Sequence, residues 1–419
     1  MILVSHPTGN NNVRAVVRGL NSAGLLAEFS TTLALDPSAA WLGLIPGRLR
    51  RELLRRAYSG VAPSAIHAWP WRELARFAAP RLGLRTLTRH ETGWASVDAV
   101  YRNLDAHTAS RLSKLTGERK VRGVYAYEDG ALATFKSAKK LGLSCFYDLP
   151  TGYWKASRRL LREEADLQPD WAETLTGNRD SPQKLARKDE ELSLADEVFV
   201  ASSFTRSTLV EAGLGLKKIH VIPYGAPQTA TEITCESGRS RNHLRILFVG
   251  ALRQHKGLSY LLQAIDLLGP AAVKLTLIGR PAIGTCAPLR AAMTKHRHVA
   301  SLPHAEILAE MRRHDVFVFP SLFDGFGLVL LEAMSQGLPV ITTAHSAGSD
   351  IITDGKEGFV VPIRSSEAIA EKLQLLHGDR DRLHQMGTCA LRRAREFSWT
   401  NYERQLVATL HASLESVAS

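Results

Sequence analysis

Short β-branched or aromatic runs, each closed by a polar or glycine-containing turn and followed by a helix-period stretch, recur along the chain. That alternation is the signature of parallel strands joined by crossover helices. In the first half the runs are MILVSH, a weaker SAIHAW, GVYAY, SCFYDL, EVFVAS and HVIPYG. After Gly225 the stretch PQTATEITCESGRSRNH has no apolar period and reads as a linker. A second series follows: LRILFVG, VKLTLIG, VFVFPS, LPVITT and GFVVP, with helical patterns at SYLLQAIDLL, PLRAAMTKH, EILAEMRRH, GLVLLEAMSQ and SEAIAEKLQLLHG. Five strands with intervening helices make a complete Rossmann-like unit. The expected architecture is α/β, with two Rossmann-like doubly wound domains at 1–225 and 244–396, joined by a linker at 226–243. Residues 397–419 read as a last amphipathic helix able to cross back and brace the first domain.

A length of 419 residues calls for two cores, and an apolar fraction of 45% fills both. MILVSHPTG lacks a basic flank and a small-residue cleavage site, so it reads as a first strand and not as a leader. The longest apolar stretches fall short of the ~20 residues that cross a bilayer. Cys145, Cys235, Cys286 and Cys389 are scattered without a CxxC pair, which fits reduced thiols in the cytoplasm and argues against a metal site.

Charge changes the picture more. The net value is +12, of which roughly +9 lies before residue 226. Such a balance calls for an anionic partner: nucleic acid, an acidic membrane surface or phosphorylated substrates. No base-stacking or groove-entering motif accompanies it, which sets nucleic acid aside. The stretch GRLRRELLRRAY, 47–58, gathers Arg48, Arg50, Arg51, Arg55 and Arg56 on one helical face and Leu49, Leu53 and Leu54 on another. The pattern fits an ordinary solvated helix covering the sheet and also a helix docked on a membrane surface.

The most informative segment is PSLFDGFGLVLLEAMSQGLPVITT, Pro320 to Thr343, laid out as strand end, glycine-punctuated loop, helix and strand. In open α/β sheets ligands sit beyond the carboxyl ends of strands, where this loop falls. Gly325, Phe326, Gly327 and Leu328 can bring backbone N–H groups and a helix N-terminus to an anion such as a diphosphate. Asp324 and Glu332 can face the same pocket and accept hydrogen bonds from vicinal hydroxyls, which sugars and ribose supply. A tight turn followed by a solvated glutamate would give the same pattern. The second element is FVGALRQHKG: Gly250 ends a strand, and Arg253 and Lys256 follow in the loop, where cations can clamp a diphosphate and neutralise a leaving group. Taken singly, Lys256 also fits a surface lysine.

Together these elements resemble glycosyltransferase family 4, whose fold is the two-domain GT-B type. Its signature E-G-F-G-L-x-x-x-E-A-M-x-x-G-x-P-V is matched by DGFGLVLLEAMSQGLPV. The resemblance also covers VFVFPS, DGKEGFVVP (Asp354 to Pro362) and FSW (Phe397 to Trp399), and in the first half LADEVFVASSFTRSTL and HVIPYG. It implies that Glu332 binds ribose hydroxyls and Asp324 those of the transferred sugar. It further implies that N–H groups near Gly327 and Leu328 meet the diphosphate with Lys256 and Arg253. Members retain anomeric configuration and need no metal ion or other cofactor.

Three positions depart from the family pattern. Asp324 stands where glutamate is usual, Ala251 where arginine is usual, and Pro150, within FYDLPTGYW, where many relatives carry a histidine facing the reacting centre. Asp148 or Tyr153 can supply polar contact in its place, and Glu128, beside Asp129, adds a carboxylate at another strand end; turn capping and plain solvation are the alternatives. In HPTGNNNVR, Gly9 and Asn10 offer donors toward acceptor or donor, or serve only as a helix cap. His345 has the same standing.

The resemblance thus implies an enzyme moving a sugar from a UDP- or GDP-linked donor to a saccharide or lipid-linked acceptor, in cell-surface glycan synthesis; the cysteines point to the cytoplasm, and the basic first half adds the expectation of an anionic or lipid-linked acceptor and a peripheral place on the inner face of the membrane. The alternative is a catalytically idle sugar-nucleotide-binding scaffold.

Overall fold

The computed structural model describes residues 1–35, 56–58, 60–175, 177, 179–215, 218–230, 243–282 and 286–416, with four single positions between 43 and 54. Half of the basic stretch 47–58, including Arg48, Arg51 and Arg55, and 231–242 of the linker lie outside the described residues.

Two parallel sheets organise the chain. The first holds β1 (Ile2–Ser5), β2 (Leu26–Thr31), β3 (Ile66–Ala68), β4 (Gly123–Tyr127), β5 (Ser144–Leu149), β6 (Glu197–Val200) and β7 (Lys218–Val221), in the order β3-β2-β1-β4-β5-β6-β7. The second holds β8 (Leu244–Val249), β9 (Val273–Ile278), β10 (Arg297–Val299), β11 (Val316–Phe319), β12 (Val340–Thr343) and β13 (Gly358–Val361), in the order β10-β9-β8-β11-β12-β13. Both are Rossmann-like, and the strand order reverses between β1 and β4 and again between β8 and β11. Loops leaving those strands diverge and open a crevice. The loops after β8 and β11 carry Arg253, Lys256 and Asp324, so the topology by itself puts them at one switch point.

Central strands are covered on both faces, which is why β8 and β11 read as near-continuous apolar runs: Leu244, Ile246, Leu247, Phe248 and Val316 to Val318 are fully buried. Two strands escape that pattern. β2, LAEFST, buries Glu28, which accepts from Arg111 Nη1 at 2.6 Å and Nη2 at 3.0 Å and from Ser30 Oγ at 3.2 Å. β10, Arg-His-Val, is a partly exposed edge strand with no apolar pattern to announce it.

The helix Trp399–Ser416 follows the second sheet yet packs on the helix Asn11–Ser22 of the first half. Arg18 bonds Glu403 Oε1 through Nε (3.1 Å) and Nη2 (2.7 Å), and Ser413 Oγ donates to Glu197 Oε2 at 2.6 Å. Gly19 permits the approach, because a Cβ there would stand 3.1 Å from Glu403 Cβ. A second crossing runs through Glu164, fully buried on the helix Trp154–Leu167. Its carboxylate accepts from Gln254 Nε2 (2.7 Å), Tyr260 Oη (3.1 Å) and Arg364 Nε (2.9 Å), all three from the second half.

Candidate active site

Three chain segments converge at the crevice. The loop after β8 turns at Gly257, whose φ of +72° belongs to the left-handed region open to glycine; a Cβ there would lie 2.0 Å from the carbonyl oxygen of Pro320. This close contact between the β8 and β11 loops sets Lys256 Nζ against Asp324 Oδ2 as an ion pair. The ammonium lies 5.2 Å from the Phe319 ring centroid, and both partners are mostly buried. Asp324 is fixed further: its Oδ1 accepts from Phe326 N at 3.2 Å, and its own N–H donates to the His345 carbonyl at 3.0 Å. Gly327, φ +77°, starts the helix Leu328–Ser335 with no side chain capping it, so its first N–H groups have no side-chain acceptor.

The third segment comes from the first sheet. The loop after β5 passes so close to the glycine loop that a Cβ on Gly325 would sit 1.9 Å from the Pro150 carbonyl oxygen, and one on Gly152 would sit 2.5 Å from the Phe323 ring. Ser202 and Thr205, after β6, both donate their hydroxyls to the Gly325 carbonyl, Thr205 at 3.0 Å. Ser202 Oγ also accepts from Thr205 N at 3.1 Å, capping the helix Ser203–Glu211. The glycine loop is therefore held from both halves.

Between them lies a cavity of about 320 Å³, bordered by Arg253, His255, Lys256, Asp324 and Gly325 on one side and by Glu128, Trp154, Arg158, Asp180 and Lys188 on the other. Burial, reinforced by Lys256, pushes the His255 imidazole down to about 3, so it is neutral at physiological pH. Burial raises the Glu128 carboxyl, and Lys188, 3.3 Å away, opposes that rise. The cavity thus combines several cations with carboxylates, a setting for a phosphorylated ligand that also carries hydroxyls.

Glu332 stands on the helix that Gly327 starts, and its Oε1 is 2.9 Å from His304 Nε2. His304 opens the helix His304–Arg312. Sequence reasoning missed it, because the pairing joins segments 28 residues apart and a lone histidine at a helix start carries no pattern.

Other singled-out residues sit elsewhere. Gly250 closes β8 and donates to the Ile278 carbonyl at 2.9 Å. Asp148 is buried, bonded by the Tyr125 hydroxyl at 2.6 Å and set among Tyr127, Tyr224 and Tyr402; it does not border the cavity. Burial raises its carboxyl to about 7, with the Tyr125 bond pulling the other way. The Tyr153 hydroxyl donates to Asp189 Oδ1 at 2.7 Å, beside Trp154 Nε1 at 2.6 Å. Gly9 faces Tyr58 and its carbonyl accepts from Arg14 Nε at 2.6 Å, while Asn10 precedes the helix Asn11–Ser22 with its side chain not capping it. His345 stacks on Phe204 at 4.7 Å and bonds the Leu322 carbonyl at 2.9 Å. His90, Glu91 and Asp180 bring metal-ligand atoms within 4.8 Å of one another, and Lys184 Nζ already stands 3.0 Å from Asp180 and 2.8 Å from Asp98.

Two Rossmann-like domains facing across such a crevice define a GT-B fold. Residues 243–379 match the family described as Glycosyl transferases group 1. A D-inositol 3-phosphate glycosyltransferase of Nocardia farcinica is 29% identical over 258 residues, 56% of this chain and 57% of the relative. A sucrose synthase of Denitrovibrio acetiphilus is 40% identical over 100 residues, 23% of this chain and 13% of the relative. The matches therefore span well under two thirds of these relatives. Likeness of fold reaches further: the sucrose-phosphate synthase from Thermosynechococcus elongatus superposes with a TM-score of 0.62 at 17% identity, covering 100% of this chain and 99% of that one. Anabaena Alr3699/HepE in complex with UDP gives 0.61 at 16% identity, covering 98% and 99%. No helix among the described residues is long and apolar enough to cross a membrane.

Proposed function

We propose that the chain is a retaining, metal-independent glycosyltransferase that moves a sugar from a nucleotide-sugar donor to a saccharide or lipid-linked acceptor, in the synthesis of a cell-surface glycan. In this reading 244–396 is the donor domain, 1–225 the acceptor-side domain, 226–243 a linker and 397–419 a bracing helix. The observation that carries it is the Lys256–Asp324 pair beside an uncapped helix N-terminus, with Glu332 on that same helix. Lys256, Arg253 and the helix N-terminus receive the diphosphate and stabilise charge on the departing nucleotide. Asp324 and Glu332 hold the hydroxyls of sugar and ribose and thereby position the anomeric carbon. The complex of HepE with UDP favours a uridine donor.

The direct test is a thermal-shift screen with UDP, GDP, ADP and their sugar conjugates on wild type and E332A, since a ligand that binds only the folded state raises the melting temperature. One nucleotide stabilising the wild type alone supports the reading; no stabilisation by any removes it. A second reading, an idle donor-binding scaffold, is favoured by Pro150, which stands against Gly325 where the family resemblance leads one to expect a histidine. Donor binding without sugar release or transfer to any acceptor would select it.

A further inference from the structure

Twelve large apolar side chains stand exposed among the described residues, and six of them fall in the single stretch 71–97: Trp71 (62%), Leu74 (47%), Leu82 (70%), Leu84 (49%), Trp94 (52%) and Val97 (55%). Local bonds hold this stretch as one surface. Arg72 Nη1 donates to the Trp94 carbonyl at 2.9 Å, and its guanidinium lies 5.0 Å from that ring. The Leu84 N–H donates to Ala79 and the Ala95 N–H to Leu87, each at 2.8 Å, so the helix Trp71–Ala78, the turns after it and the start of the helix Val97–Arg119 share a face.

The charges on that face have one sign. The stretch contains Arg72, Arg76, Arg81, Arg85 and Arg89 against two carboxylates, Glu73 and Glu91. Glu73 is 1% exposed and held by Arg76 at 2.7 and 2.8 Å, and Glu91 accepts from Ser181 N at 2.9 Å. What faces outward is tryptophan, leucine and arginine.

We propose that this face docks the protein on an anionic lipid surface. Tryptophan favours the boundary between headgroups and acyl chains, and arginine beside it meets lipid phosphate while its stem stays in apolar surroundings. Each cation adds attraction to a negatively charged leaflet. A protein partner would require a shape-complementary, close-packed centre. Here the apolar tips alternate with arginines, and Leu82 and Leu84 flank Gly83 on a turn, a shape that a fluid boundary accepts without complementarity.

The face adjoins the cavity, because the Glu91 carboxylate holds the N–H of Ser181 while its neighbour Asp180 borders the cavity. Only the last step rests on the proposed function: a lipid-linked acceptor in that surface is delivered to the first-sheet side of the cleft.

The test is flotation of the full chain with phosphatidylcholine vesicles and with vesicles containing about 30 mol% phosphatidylglycerol, for wild type and for the triple variant W71A, L82S and L84S. The expected result is binding to the anionic vesicles alone, with a blue shift of tryptophan emission, weakened roughly tenfold or more in the variant while its melting temperature holds. No flotation at low salt overturns the proposal, as does equal binding by the variant. Concentration-dependent dimerisation, lost in the variant and without flotation, assigns the face to a second copy of the chain and overturns it too. The readout needs no turnover, so failure here and failure of the glycosyltransferase reading are separate results.

Discussion

Lys256 and Asp324 neutralise one another across the crevice, so removing either leaves a mostly buried charge without its partner. K256A is expected to lower kcat by about 10²–10³-fold, the effect of deleting one pre-positioned donor to a developing anion, as read by nucleotide release at saturating donor. His304 acts one step removed, through the carboxylate of Glu332. H304A is therefore expected to raise the KM for donor by roughly two- to tenfold with kcat unchanged, the signature of a lost uniform binding contact, while E332A costs more. A change in kcat without a change in KM would place His304 in the chemistry instead. At this scale the sequence discloses both partners of the Lys256–Asp324 pair through glycine-bounded loops, since Gly257 and Gly327 mark the turns that aim them. It does not disclose His304, Ser202 or Thr205, whose contacts depend on chain segments that meet only after folding.

Among elements, the glycine loop and the β5 strand carry the most consequence. A Cβ at Gly325 would strike the Pro150 carbonyl at 1.9 Å, a contact with backbone that no rotamer relieves. G325A is expected to push the loop off the first sheet, costing about 1–3 kcal/mol of stability and most of the turnover, measured by denaturant unfolding and by activity on one sample. On β5, Asp148 brings a pH dependence. Its folded value of about 7 lies above the ordinary 3.8, so the native state holds a proton that the unfolded state has released. Stability from this group is full below pH 3.8 and is lost as pH rises through 7. Melting temperatures of wild type should therefore decline across that window, and D148N should flatten the decline; parallel pH profiles for the two proteins would mean that Asp148 is ionised throughout. Strands covered on both faces declare themselves as apolar runs, whereas β2 hides behind Glu28, which Arg111 on a distant helix and the Ser30 hydroxyl make tolerable, and β10 is short and half exposed.

For the whole molecule, the two sheets were legible and their mutual hold was not. Doubly wound order follows from alternating strand and helix patterns, but nothing along the chain marks Glu164 as the point where three side chains of the second half converge on a helix of the first. Its full burial makes that point decisive. With Glu164 removed, Arg364 loses its buried partner while keeping only Glu163 and the Leu160 carbonyl, and Gln254 and Tyr260 lose an acceptor. Gln254 precedes His255 and Lys256, so its displacement reaches the cavity within two residues. E164A is expected to destabilise the protein by about 3–5 kcal/mol, the cost of breaking a buried ion pair from one side. It should also separate calorimetric unfolding into two transitions, because Glu164 is one of the ties between the sheets, the helix Trp399–Ser416 being another. Donor should then raise the transition of the second half alone, since its proposed ligands lie there. If E164A instead unfolds in a single transition shifted as a unit, the coupling resides in the C-terminal helix and the Gly325 clamp, and the R18A/E403A pair becomes the variant that should divide it.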